Sequence, residues 1–138
     1  MGQIITKVVG WLGYTRPAFE NNPEAEAAAV EAARPWLALV DGKLYEASWK
    51  QAAAQFQKAA PQEEWAQKSS GVREPLGNVR EREVRSAKYA TSLPGAPDGE
   101  YIIIVQFDTR FEHKDHAVET VTLVKEDGRW HATGYYVR

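Results

Sequence analysis

The chain contains no cysteine. That excludes disulfide staples, thiolate catalysis and cysteine-ligated zinc, and it leaves the compartment open. Long apolar runs are also missing, since none approaches the roughly 20 residues that span a bilayer. Nor is there an excess of one charge sign: 17 Lys and Arg stand against 19 Asp and Glu, for a net charge of −2. Phosphate backbones demand clustered cations, so nucleic acid is not an expected partner. Internal repeats and low-complexity linkers are absent as well. The 138 residues suit one domain with a sizeable core.

What is present divides into an apolar N-terminal extension, residues 1–22, and a single α+β domain, residues 23–138. In the extension, Ile4, Ile5, Val8, Val9, Trp11 and Leu12 fall roughly on one side of a helix. Gly10 and Gly13 weaken that helix and Arg16-Pro17 ends it. An apolar tail frays unless something holds it. These six side chains are therefore the candidate contacts to a protein partner, to a second copy in a homodimer, or to the chain's own domain. No basic residue precedes the apolar run, Lys7 interrupts it and no cleavage site follows, so no export signal is read and a cytoplasmic location is the default expectation. A membrane-surface role for residues 3–14 is a further alternative, with Lys7 as the one cation available to headgroups. The first six residues also fit the loose N-myristoylation pattern, although a docked apolar tail explains them more simply.

In the domain, Asn22-Pro23-Glu24 marks a helix start, with an N-cap, a proline at the first position and acid in the first turn. Val30, Ala33, Leu37 and Val40 form its stripe, Trp36 lies beside them, Pro35 predicts a bend and Asp41-Gly42 ends it. A second helix is expected over about Lys43 to Ala59 and a short third one after Pro61. From Val79 the period changes to two. The alternating charges of Val79 to Tyr89 suit an edge strand with a solvated ladder of Arg and Glu. The apolar run within Tyr101 to Phe107 predicts a strand covered on both faces. Asp127-Gly128 predicts a tight hairpin between Ala117–Lys125 and Arg129–Val137. The expected fold is α+β, three N-terminal helices packed on a four-stranded antiparallel sheet.

Several stretches together carry a resemblance. They are Trp36-Leu37-Ala38-Leu39-Val40-Asp41-Gly42, Tyr45-x-x-Ser48-Trp49, Leu93-Pro94-Gly95-Ala96-Pro97-Asp98-Gly99-Glu100-Tyr101, Glu119-Thr120-Val121-Thr122, and Asp127-Gly128-x-Trp130-x-x-x-Gly134-Tyr135-Tyr136. Over about residues 25–138 the chain resembles the bacterial domain-of-unknown-function family 4019. The resemblance implies a curved, cone-like sheet similar to the nuclear-transport-factor-2-like and cystatin-like group, and it supplies no activity. Members often carry an export or lipoprotein signal, which implies a periplasmic or membrane-associated location, but residues 1–22 depart from that pattern.

In such cones a pocket often lies between helices and sheet, and some relatives use one acid there as an isomerase or dehydratase base. Glu119, mid-strand among apolar neighbours, is the candidate base, weighed against a plain ion pair with an Arg or Lys of the next strand. Trp49, Trp130 and Tyr136 are the candidate lining of a pocket for a small apolar ligand. Asp98 is explained as a turn residue. His113-x-x-His116 lacks a helix and a third ligand, so no metal site is read, and no cofactor is expected. The leading expectation is a non-enzymatic binding or assembly domain that uses its outer sheet face and apolar N-terminal segment. The rivals are a small-ligand binder or a lyase- or isomerase-like enzyme using Glu119.

Overall fold

The computed structural model describes residues 3–5, 19–92 and 99–138. Asn22 caps the first helix by accepting a hydrogen bond from the Ala25 amide at 3.1 Å. That helix, α1 (Pro23–Asp41), continues through Pro35 and buries Ala29, Ala33, Trp36, Leu37 and Val40. Their spacing of three and four residues makes one stripe that faces the sheet.

Where one helix is expected over Lys43 to Ala59, there are two, α2 (Tyr45–Lys50) and α3 (Ala54–Ala59). The break has a cause. Ala52 and Ala53 are buried, and the Ala53 amide donates to the Ala132 carbonyl at 2.8 Å instead of to a helical carbonyl. Helix α4 (Gln62–Arg73) follows Pro61 and passes into one 3₁₀ turn, Glu74–Leu76. The domain therefore has four α-helices among the described residues, not three.

The strands are β1 (Gln3–Ile5), β2 (Val79–Ser86), β3 (Tyr89–Ala90), β4 (Tyr101–Phe111), β5 (Lys114–Glu126) and β6 (Arg129–Val137). They form one antiparallel sheet in the order β1-β6-β5-β4-β2, with β3 also on β4. Six strands replace the expected four for two reasons. The expected edge strand is divided into β2 and β3, both pairing with β4. Residues 3–5, expected as part of a helix, pair with β6 instead, Gln3 opposite Tyr136, Ile4 opposite Tyr135 and Ile5 opposite Gly134. Consecutive β-branched residues favour extended backbone, and a free sheet edge offers unpaired donors and acceptors. Val8, Val9, Trp11 and Leu12, like the turn residues 93–98, lie outside the described residues.

Asp127 (φ 51°) and Gly128 (φ 77°) turn β5 into β6 in the doubly left-handed conformation that suits a two-residue hairpin. Between β4 and β5 the chain reverses in a turn at Glu112 and His113, so that His116 lies within β5. Register shifts between β2 and β4, β4 and β5, and β5 and β6 curl the sheet. Its inner face, with Val105, Phe107, Val121, Leu123 and Tyr135, meets the stripe of α1, and the rings of Trp36 and Tyr135 stand edge-on at 5.7 Å. Ser48 is fully buried and accepts two indole N–H groups, Trp36 through its carbonyl and Trp65 through its hydroxyl, both at 2.9 Å. One small residue thereby positions both large rings.

Candidate functional site

The alternating charges of β2 divide into two kinds. Arg85 pairs with Asp108 at 2.9 Å and Glu81 with Arg110 at 3.2 Å, all largely solvated. Such exposed pairs contribute little stability. Arg82 differs because it lies opposite Thr109, a buried position of the inner face. Its guanidinium is held by two carboxylates. Nε and Nη2 donate to Glu119 at 2.8 and 3.1 Å, while Nη1 and Nη2 donate to Asp41 at 2.8 and 2.9 Å.

The network extends in both directions. Arg73, at the end of α4, donates through Nη2 to Asp41 Oδ1 at 2.7 Å. Glu119 also accepts from the Thr109 hydroxyl at 2.5 Å and from the Tyr135 hydroxyl. Two arginines thus meet two acids under the sheet, a formally neutral set that joins α1, α4, β2, β4, β5 and β6. Burial raises the pKa of Asp41, but the hydrogen bonds and charges of Arg82 and Arg73 outweigh it and hold the group below the ordinary 3.8. Burial works against the charged form of Arg82, yet Asp41 and Glu119 hold it further above its ordinary value. Tyr135 is pushed well above 10, first by burial and then by the Glu119 charge.

This geometry decides what Glu119 can do. Its side chain is 0% exposed, and each of its oxygens already accepts two hydrogen bonds. A general base needs an open lone pair within reach of a substrate proton. Glu119 has neither the lone pair nor the access, and its surroundings are those of a buried structural anion.

Arg73 is only 5% exposed. Its guanidinium lies over the Phe111 ring at 4.9 Å. While Nη2 is held by Asp41, Nε and Nη1 have no hydrogen-bond partner among the described residues, and neither has the Tyr45 hydroxyl. Both residues line one cavity of about 260 Å³, together with Asp41, Lys43, Glu74, Glu112 and His113.

The three aromatic candidates do not converge. Trp49 is half-buried against the core, and its Nε1 donates to the Ala60 carbonyl at 2.6 Å. Trp130 lines a separate open groove of about 720 Å³ between α1 and β6, with Trp36 and His131. Tyr136 alternates with the inward Tyr135 and so lies on the opposite face. Among the described residues no group of three His, Asp or Glu could hold a metal. Among the same residues no helix is long and apolar enough to cross a membrane.

Asp41, Arg73, Arg82, Thr109 and Tyr135 escape a reading of the sequence. Asp41 looks like a helix stop and Arg82 like one more rung of a charged edge. The one signal is parity, since Arg82 shares its side of β2 with Val84. A family model described as a protein of unknown function (DUF4019) matches residues 32–135. A search of curated proteins finds no match to the chain.

Proposed function

The chain belongs to the DUF4019 family, and from that premise and its strand arrangement we propose that the domain is a binding and assembly module. It engages a partner protein, or a second copy of itself, through the outer sheet face and the apolar N-terminal segment. The observation that carries this reading is the pairing of Gln3–Ile5 with Gly134 to Tyr136 on β6. A sheet edge binds extended chain by main-chain hydrogen bonds, and the side chains of the added strand supply selectivity. A three-residue pairing is weak by itself, so exchange of this strand for one from another molecule costs little.

The two edges of the sheet differ in a way that supports the reading. At the far edge β2 exposes Arg80, Glu81, Glu83 and Arg85, the charged blunting that keeps strangers away. The β6 edge carries no such guard over Gly134 to Tyr136. The outer face is also sparing in charge along its middle, where Thr120 and Thr122 are buried and Gln106, Val118 and Tyr136 are half-buried. In this reading Glu119 is an anchor of the fold rather than a base. The curled sheet with helices in its concavity is similar to the nuclear-transport-factor-2-like and cystatin-like group, in which pairing through the outer face is common.

Deleting residues 1–22 and measuring mass by light scattering tests the proposal. The expected result is a fall from an assembly to the single-chain mass, together with a Tm lowered by about 3 to 8 °C. An unchanged mass with an unchanged Tm removes the segment from the function.

A further inference from the structure

We propose that the groove between α1 and β6 binds a short amphipathic anion, its chain along the apolar floor and its head at Lys50 and Arg129. The first support is the shape and chemistry of the floor. Ala28, Ala32, Pro35 and Trp36 of α1 stand on one side, with Trp130 and Ala132 of β6 on the other, around a space of about 720 Å³. Ala28, Ala32 and Pro35 follow one row of the helix, which at a rise of about 1.5 Å per residue runs for about 10 Å. That is close to the length of an extended octyl chain. The two alanines leave the room that larger side chains on this row would fill. The groove is also formed in advance. His131 Nδ1 lies 3.2 Å from the Gln51 carbonyl oxygen, and the Ala53 amide donates to the Ala132 carbonyl at 2.8 Å, so the chain after α2 is fastened to β6.

The second support is the charge of the lining. Lys50 and Arg129 both line the groove, and both are exposed residues that a ligand can reach. Among the described residues neither forms an ion pair, and the described lining holds no Asp or Glu. The nearby acids are engaged elsewhere. Glu126, opposite Arg129 in register, accepts from the Ala54 amide at 3.1 Å, and Glu100 holds Lys125 at 3.1 Å. An anionic head therefore meets two uncommitted cations, and a cationic head meets the same two with no acid to receive it. Two cations are too few for a nucleic-acid backbone, and the apolar floor favours a chain over a bare anion. Exposed charges add little affinity, so the length of the chain governs its strength. Bounded by α1, the groove lies on the helical side of the sheet, and the inference does not rest on assembly through the outer face.

The test is calorimetric titration of the full chain with octanoate, hexanoate and octylammonium, all below micelle formation, beside co-flotation with vesicles rich in anionic lipid. Octanoate is expected to bind at one site per chain, with hexanoate several-fold weaker for its shorter tail and octylammonium about tenfold weaker or worse. The double variant Lys50→Glu and Arg129→Glu, changed only at exposed positions, is expected to keep its Tm and to lose octanoate binding about tenfold. Lys58→Glu, an exposed charge reversal outside the groove, is expected to bind octanoate like wild type. Failure of octanoate to bind overturns the proposal, as does octylammonium binding equally well or a double variant that binds octanoate like the Lys58→Glu control. Vesicle binding without octanoate binding assigns the cations to a membrane surface and overturns it as well.

Discussion

Arg82 shows how one residue departs from its neighbours. Along β2 it is one of several alternating charges, yet it alone among them reaches two buried or half-buried acids. The energetic contrast is large. Exposed pairs such as Arg85 with Asp108 are worth up to about 1 kcal/mol, whereas removing one partner of a buried pair costs roughly 3–5 kcal/mol. Glu119→Gln, which keeps the shape and deletes the charge, is therefore expected to lower the stability by roughly 3–5 kcal/mol in urea denaturation. A loss in the range of an exposed pair contradicts the structural role given to this carboxylate. Period-two patterning of a strand places a residue on a face, but it does not reveal whether that face meets solvent or an Asp from another element. For that reason Asp41 and Arg73, distant in sequence from Glu119, were not legible as its companions.

Among the elements, what was legible is what local chemistry dictates. Asn22-Pro23 sets a helix start, Asp127-Gly128 sets a hairpin, and charge alternation sets the β2 edge, and each occurs as read. What failed depends on long-range partners: the break between α2 and α3 follows from the Ala53 amide bonding to β6, and the strand at residues 3–5 follows from the β6 edge. Neither leaves a proline, glycine or change of period at the place where it acts. Two glycines among the described residues take a positive φ, and their surroundings differ. Gly77 and Gly128 share φ +77°, but a Cβ at Gly128 meets nothing within 4 Å while one at Gly77 strikes Glu112 and His113. Gly128→Ala is expected to cost about 1 kcal/mol, and Gly77→Ala clearly more, because the Gly77 ψ of −160° belongs to a region open essentially to glycine alone and the clash adds to that strain. Thermal unfolding of both variants measures the difference, and equal costs would contradict both the glycine-only backbone at Gly77 and its crowding by Glu112.

At the scale of the molecule, the charge network makes stability depend on pH at both ends. Asp41 has a folded pKa below its unfolded value. Its contribution is therefore complete above about pH 4 and is lost as pH falls through the lower folded value. Tyr135 has a folded pKa raised above 10, so its contribution is present below that pH and is lost as pH rises towards the folded value. The urea midpoint is expected to be flat near neutrality and to fall on both sides, and Asp41→Asn is expected to lower the plateau and flatten the acid limb. A midpoint in the wild-type chain that does not change between neutrality and about pH 3 argues against the assignment. Asp41 has one more consequence, for how the layers are aligned. It sits in the last turn of α1, which has no basic residue of its own there, and its cations come from α4 and β2. The small side chains Ala29 and Ala33 on the same helix offer smooth surface over which a helix can slide. A slip of one residue moves a helix about 1.5 Å along its axis and turns it by about 100°, which takes Asp41 out of reach of both guanidinium groups at once. The pair of arginines thus works as a vernier mark: it fixes the axial position and the rotation of α1 against the sheet, leaving the two layers a single way to mesh.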